Sequence, residues 1–199
     1  MAGICKITVS KTLLTEFCCF LLNFRMDYIR IKNTLDKYFT EAWDLYENAF
    51  PLEERRPINA QTNVLKNSNY HFDVIIEDGK FIGFLLWWEF DKLMFIEYFA
   101  TAESIRNKGF GKLIIEDFLI RSQKPIILEV ELPDSNIRKR RIEFYKRLGF
   151  HLNPHFYEIQ PVNEGSSALE FRIMSFPLAI SENDVRNFVE RCHPIIFKD

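Results

Sequence analysis

Apolar and polar positions change period several times along the chain, and each change marks an element. Residues 28–32, "YIRIK", alternate as a short strand does. Asn33 or Thr34 can cap a helix whose apolar stripe, Leu35, Phe39, Ala42, Trp43, Tyr46 and Phe50, recurs at helical spacing up to Pro51. The polar connection "LEERRPIN" leads to a second short helix, expected over 59–66. The apolar runs 71–77 and 80–88 are joined by Asp78-Gly79, a dipeptide that favours the positive φ values of a tight hairpin turn. A strand over 93–101, a glycine-bearing turn and a helix to about residue 121 come next. A β-rich run, "PIILEVE", fills 125–131. Residues 136–148 form a basic amphipathic helix stopped by Gly149. Strands near 156–159 and 169–176 follow, and Ser181 caps a last helix that ends before Pro194.

This order predicts a mixed α/β sheet with helices on its faces, in one domain. No repeat, low-complexity tract or linker interrupts 26–199. The first 25 residues stand apart. "LLTEFCCFLLNF" at 13–24 is apolar but interrupted by Glu16. It is shorter than the roughly 20 residues of a bilayer span. No small-residue cleavage site follows, as a signal peptide would require. Because Met26 opens what reads as the first strand, 1–25 is expected to lie outside the core, either as a mis-called start or as a weakly membrane-associating helix.

Composition narrows the functional class. Hydrophobic residues make up 47% of the 199, and 20 phenylalanines imply a dense aromatic interior. With 26 Lys and Arg against 28 Asp and Glu, the net charge of -2 supports neither a nucleic-acid nor a membrane partner. Cys5, Cys18, Cys19 and Cys192 form no C-x-x-C and read as reduced thiols of a cytoplasmic protein. His151 and His155 are separated by Pro154, so they do not share a helix face, and no metal site is expected.

The cations are clustered where the backbone turns. "RNKGFGK", 106–112, sets Arg106, Lys108 and Lys112 around Gly109 and Gly111 at the start of a helix. A helix start leaves N–H groups unpaired and carries partial positive charge, so anions bind there. Glycine lets the backbone approach a phosphate closely. The stretch therefore looks built to hold a phosphate or pyrophosphate. It is neither a P-loop nor a Rossmann fingerprint, since neither G-x-x-x-x-G-K-[ST] nor G-x-G-x-x-G is present.

What is present is Arg106-x-x-Gly109-x-Gly111, and after one more strand "IEFYKRLGF" at 142–150. Together they resemble the GNAT superfamily of acyl-CoA-dependent N-acetyltransferases, over roughly residues 27–160. In that family an R/Q-x-x-G-x-G/A turn cradles the CoA pyrophosphate and a later helix ends in Tyr-x-x-x-Gly-Phe, matched by Tyr145, Gly149 and Phe150. The resemblance implies a single domain with a central, mostly antiparallel sheet and helices on both faces. It implies acetyl-CoA as co-substrate, with the pantetheine arm bonded by the backbone of Phe99, Ala100 and Thr101. The pyrophosphate would lie on Arg106, Asn107, Lys108, Gly109, Phe110, Gly111 and Lys112. Tyr145 would protonate the departing thiolate. Many members carry Asn seven residues before that tyrosine. Here Arg138 stands there, and Asn136 is the nearest substitute.

An amine must lose a proton before it attacks, so a carboxylate base is expected. Glu97 shares its strand with Phe99 and Thr101, at even spacing that puts the three on one face until any bulge. Glu89 and Glu131 are rivals near the ends of neighbouring strands. Glu53, Glu54, Glu89 and Asp91 would suit a cationic acceptor, and Trp87 and Trp88 could offer it an aromatic face. The cations of "RKRR", 138–141, could meet a 3′-phosphate or form a solvated face. The reading is thus an N-acetyltransferase acting on a small-molecule or peptide amine, as monomer or homodimer. A non-catalytic acyl-CoA-binding module is the rival. No cysteine falls within 27–160, which opposes an acyl-cysteine intermediate.

Overall fold

The computed structural model of the protein describes residues 26–159 and 169–197. The proposed extension 1–25, with Cys5, Cys18 and Cys19, lies outside them. Among the described residues eight strands form one sheet in the order β1-β2-β3-β4-β5-β8-β6, with β7 also paired to β8. These are β1 (Met26–Ile31), β2 (Tyr70–Glu77), β3 (Lys80–Glu89), β4 (Met94–Thr101), β5 (Ile126–Glu131), β6 (His151–Leu152), β7 (Tyr157–Ile159) and β8 (Leu169–Phe176). Among the described residues only β4 and β5 run parallel, and every other pair is antiparallel.

Among the described residues five α-helices cover the two faces. They are α1 (Phe39–Ala49), α2 (Ile58–Val64), α3 (Phe110–Arg121), α4 (Asn136–Arg147) and α5 (Glu182–Ile196). Strand alternation splits the interior into two cores. On one side Phe72, Phe84, Trp88 and Phe95 pack with Tyr46 of α1 and Phe188 of α5. On the other, Leu85, Ile96 and Leu128 pack with Ile114 and Phe118 of α3 and with Ile142 and Tyr145 of α4. The expected α/β class, one sheet sandwiched by helices, is the one found.

Local chemistry explains where boundaries depart from the periodicity. The first helix begins at Phe39, not after Asn33. Asp36 accepts from the amides of Lys32 and Asn33, while Asn33 Oδ1 accepts from the Leu35 amide. These side-chain bonds offer the backbone a turn in place of a helix. Leu35, read as part of the stripe, is 93% exposed. At the other end α5 continues through Pro194 to Ile196. A proline this near the C-terminus removes one helix bond and leaves a last turn closed by the Phe197 amide on the His193 carbonyl. The short strand β6 has no sequence signature of its own.

Candidate active site

The site begins at a departure from strand regularity. Along β3–β4 the register runs Leu86 to Tyr98 and then Trp87 to Ile96, so Glu97 is the extra residue of a β-bulge. The bulge resets the alternation. Glu97 and Tyr98 both turn toward the α1 side, while Phe99 packs with the α3 core. The expectation that Glu97 and Phe99 share a face therefore fails at this bulge. The β4–β5 ladder ends at the same place, with Ile96 opposite Leu128 as its last pair. Beyond it the parallel strands have no mutual register, and a cavity of about 350 Å³ opens between them.

Phe99, Ala100, Thr101 and Arg106 line this cavity on one side, Leu128 and Glu129 on another, and Arg141 and Tyr145 of α4 close it. Gly83, which pairs with Thr101, is required for the close approach of β3. A Cβ there would sit 2.4 Å from the Ala100 carbonyl oxygen. The glycine turn starts at Arg106, on the cavity wall. Asn107 and Gly109 take positive φ (63° and 86°), and Gly109 caps α3. Neither the Gly109 nor the Gly111 amide meets a protein acceptor among the described residues. The Arg106 and Lys108 side chains are exposed. Lys112 is exposed and lies 3.6 Å from Glu116, a solvent-screened pair.

Tyr145 sits in the last turn of α4. Its helix stops in a Schellman motif, in which the Phe150 amide reaches the Tyr145 carbonyl and Gly149, at φ 89°, bonds Lys146. This fixes the tyrosine against Phe144 and Phe150, each at an edge-to-face angle. Burial pushes its hydroxyl up to about 12, against the lowering effect of Arg141. The ring is buried, and the hydroxyl has no protein partner among the described residues.

A smaller cavity of about 70 Å³ continues from the first. The two share Phe50, Glu97, Glu129 and Arg141. Phe95, Tyr98, Phe171 and Phe197 give it an aromatic wall, and Glu54 and Glu131 add carboxylates. Glu97 does not project a free carboxylate. Arg56 lies with Nη2 at 2.5 Å from Oε1 and donates from Nη1 to Oε2 at 2.8 Å, while Trp88 donates to Oε2 at 2.9 Å. Both side chains of the pair are 7% exposed. Glu131 is likewise held, by Arg138 and Arg141.

Glu129 is the carboxylate with a different character. It is half-buried on β5 and accepts a hydrogen bond from the Tyr157 hydroxyl. Burial pushes it up to about 8, the Tyr157 bond opposes that rise, and the charges of Glu97 and Glu54 add to it. Burial also raises Glu54, helped by the Glu131 charge and opposed by Arg141. Sequence reasoning passed over Glu129 and Arg56. The available signal for Glu129 was a charge in the middle of the apolar run "PIILEVE"; Arg56 had none, since it reads as part of a polar connection.

Other expected residues lie elsewhere. Asn136 is exposed in the first turn of α4 and lines neither cavity. Glu89 pairs with Lys124 at the far end of β3, and Trp87 packs on Phe118 behind the sheet. Arg138 and Arg141 spend their charge on Glu131 and Asp134. His151 and His155 each bond a backbone carbonyl, of Pro177 and Ile180 respectively. No helix among the described residues is long and apolar enough to cross a membrane.

Comparison with known proteins gives this geometry its context. A solved structure from Bacteroides thetaiotaomicron, assigned to the GNAT acetyltransferases, is 32% identical. It superposes with a TM-score of 0.81 over 87% of this chain and 99% of that one. A GNAT acetyltransferase from Elizabethkingia anophelis, solved with acetyl-CoA bound, shares the fold at 14% identity, with a TM-score of 0.54 over 77% of this chain and 98% of that one. A Bacillus subtilis (strain 168) protein, YjbC, assigned as an acetyltransferase, is 32% identical over 115 residues. The match covers 57% of this chain and 55% of that protein, so the chain spans about half the length of that curated relative. The model of the acetyltransferase (GNAT) family matches residues 31–150, and the chain belongs to that family.

Proposed function

We propose that the protein transfers an acetyl group from acetyl-CoA directly to a primary amine, in the cytoplasm. The observation that carries this reading is the gap between β4 and β5. It opens where Ile96 and Leu128 cease to pair and is lined by both Glu129 and Tyr145. The residues present suit an acyl-CoA. The amides of Gly109 and Gly111, which meet no acceptor among the described residues and lie at a helix start beside Arg106 and Lys108, match a pyrophosphate. The β4 edge from Phe99 to Thr101, released from β5, can bond an extended amide-bearing arm as a strand would. Asn136 stands at the first turn of α4, where it could meet the outer part of the nucleotide.

An acyl-CoA supplies a thioester carbon open to nucleophilic attack. The chain's part is to bind and orient it and to move protons. Glu129, ionised above its raised pKa, takes a proton from the acceptor ammonium. Glu97, with its oxygens held by Arg56 and Trp88, fixes the charge of the slot and leaves proton acceptance to Glu129. Tyr145 stays protonated at any ordinary pH and can give its proton to the leaving thiolate. Backbone N–H groups of β4 would stabilise the oxyanion. Glu54 and Glu129, in an aromatic-walled pocket, favour a small cationic amine or a peptide amine as acceptor.

Two measurements test this. Acetyl-CoA at millimolar concentration is expected to raise the melting temperature by mass action, far more than acetate does. A thiol-release assay across an amine panel is expected to show CoA release with at least one amine. Binding without release over the whole panel would make the protein a non-catalytic acyl-CoA-binding module. No thermal shift would remove the acyl-CoA site itself.

A further inference from the structure

Glu129 is one end of a buried chain of exchangeable protons. Its Oε1 bonds the Tyr157 hydroxyl, and that same hydroxyl lies 2.7 Å from Nε2 of His193. Tyr157 is 2% exposed, so its oxygen has these two partners and no room for bulk water. His193 stands in the last turn of α5, half-buried, with its ring edge-on to Tyr157, Phe188 and Phe197. The three residues come from β5, β7 and α5, and α5 is itself tied to the site by the Arg56 bond to the Ile196 carbonyl. Packing alone does not call for this arrangement. A tyrosine and a histidine inside an aromatic cluster would cost less as phenylalanines, unless the polar atoms are paired for a purpose.

We propose that Tyr157 and His193 form a proton relay that carries away the proton Glu129 takes from the acceptor amine. The need follows from where Glu129 sits. It lies on the shared wall of the two cavities, so donor and acceptor together fill the opening through which water would otherwise reach it. The relay leaves on the side of α5. Protonated Glu129 gives its proton to the Tyr157 oxygen as Tyr157 passes its own to Nε2 of the neutral imidazole. The imidazolium then releases the proton on its other nitrogen to water. Glu129 is a carboxylate again, Tyr157 is unchanged, one proton has left, and the imidazole, now carrying its proton on Nε2, exchanges with the same water back to the Nδ1–H tautomer before the next turnover. Burial holds the imidazole down to about 4, so it passes a proton on instead of storing it. The hop from a carboxyl raised by burial to an imidazole lowered by it is uphill, and release to water on the α5 side draws the proton onward.

The relay presupposes the acyl transfer proposed above, so it is read in two ways, one of which needs no turnover. The first is NMR on the intact protein, following the ring nitrogens of His193 and the side-chain carboxyl of Glu129 against pH. In the wild type the His193 tautomer is expected to change with the same midpoint as Glu129. In Tyr157→Phe, which keeps the ring and removes the hydroxyl, the two titrations separate. A His193 ring indifferent to Glu129 ionisation in the wild type would overturn the relay. The second is steady-state kinetics on the best amine. Tyr157→Phe and His193→Ala are each expected to lose about tenfold or more in kcat, with the KM for acetyl-CoA unchanged. Added imidazole should restore part of the rate of His193→Ala and none of that of Tyr157→Phe. Full kcat in Tyr157→Phe, or a loss in His193→Ala that imidazole does not mend, would overturn the relay. A wild type with coupled NMR titrations but no CoA release would remove the transferase reading and keep the proton chain.

Discussion

Arg56 grips both carboxylate oxygens of Glu97, with Nη2 at 2.5 Å from Oε1 and Nη1 at 2.8 Å from Oε2. The same guanidinium donates to the Ile196 carbonyl at 2.9 Å, and its backbone amide donates to the Tyr46 hydroxyl. One side chain thus joins the loop after α1, the bulge of β4 and the end of α5. Removing it would leave the Glu97 charge buried and unpaired. Arg56→Met is therefore expected to destabilise the fold by about 3–5 kcal/mol in denaturant unfolding. Adding Glu97→Gln should recover a large part of that loss, because the orphaned charge goes with it. A double variant no more stable than the single one would show that the guanidinium bond to the Ile196 carbonyl matters more than the ion pair.

The glycine turn carries a separate expectation. A Cβ on Gly111 would meet Phe99 and Thr101 at 3.8 Å, an ordinary contact, so a side chain fits without breaking the fold. Gly111→Asp nevertheless sets an anion where a pyrophosphate would approach. Acetyl-CoA affinity by calorimetry is expected to fall by about 100-fold or more, an electrostatic cost of roughly 3 kcal/mol at close range. Unfolding should change little. Unaltered affinity in a folded variant would mean that the turn holds no phosphate.

Much of this architecture was legible in the chain because hydrophobic period and turn chemistry agree there. The hairpin at Asp78-Gly79, the stop at Gly149 and the serine cap at 181 all act through local backbone preferences, which a sequence displays. The 106–112 turn was legible for the same reason, whereas Tyr145 was singled out only by the resemblance of 142–150 to the family's Tyr-x-x-x-Gly-Phe pattern. The bulge at Glu97 was not. It arises from how β3 and β4 share a register over several residues, and no single residue announces it. That one inserted residue moved Glu97 off the face of Phe99 and into the reach of Arg56. Side-chain partnerships across 41 positions, as between Arg56 and Glu97, leave no periodic trace. Glu129 could have been suspected as a charge within an apolar run, but Tyr157 and His193 could not have been joined to it before β7 and α5 were placed.

Tyr145→Phe isolates the hydroxyl from the ring. The ring packs on Phe144 and Phe150 and keeps those contacts in the variant, so stability should hold within about 1 kcal/mol. If the hydroxyl protonates the thiolate, kcat should fall by about 100-fold or more. Acetyl-CoA affinity should change by less than about tenfold, since the turn and the β4 edge carry binding. The deficit should shrink with a donor whose leaving thiol is more acidic. Full turnover in the variant would remove Tyr145 from the chemistry.

Glu129→Gln tests the base by two pH dependences with opposite origins. In the folded protein burial raises the Glu129 pKa from an ordinary 4.5 to about 8. The folded state therefore keeps a proton that the unfolded chain has lost between those two values. Its stabilising contribution is complete below about 4.5 and is lost as pH rises to about 8, with a slope of at most about 1.4 kcal/mol per pH unit. Glutamine has no such dependence. The variant should gain stability relative to the wild type from pH 4.5 up to 8 and hold a constant advantage above that. Activity runs the other way, because the base works only when ionised. The wild-type kcat/KM should climb with pH along a limb near 8, and the variant should lose both that limb and about 100-fold or more in rate. The acceptor amine's own titration, near 10 for an alkylammonium, should survive in both proteins and serves as the internal control. A variant that kept the limb near 8 would assign it to another group and leave the amine to lose its proton to water.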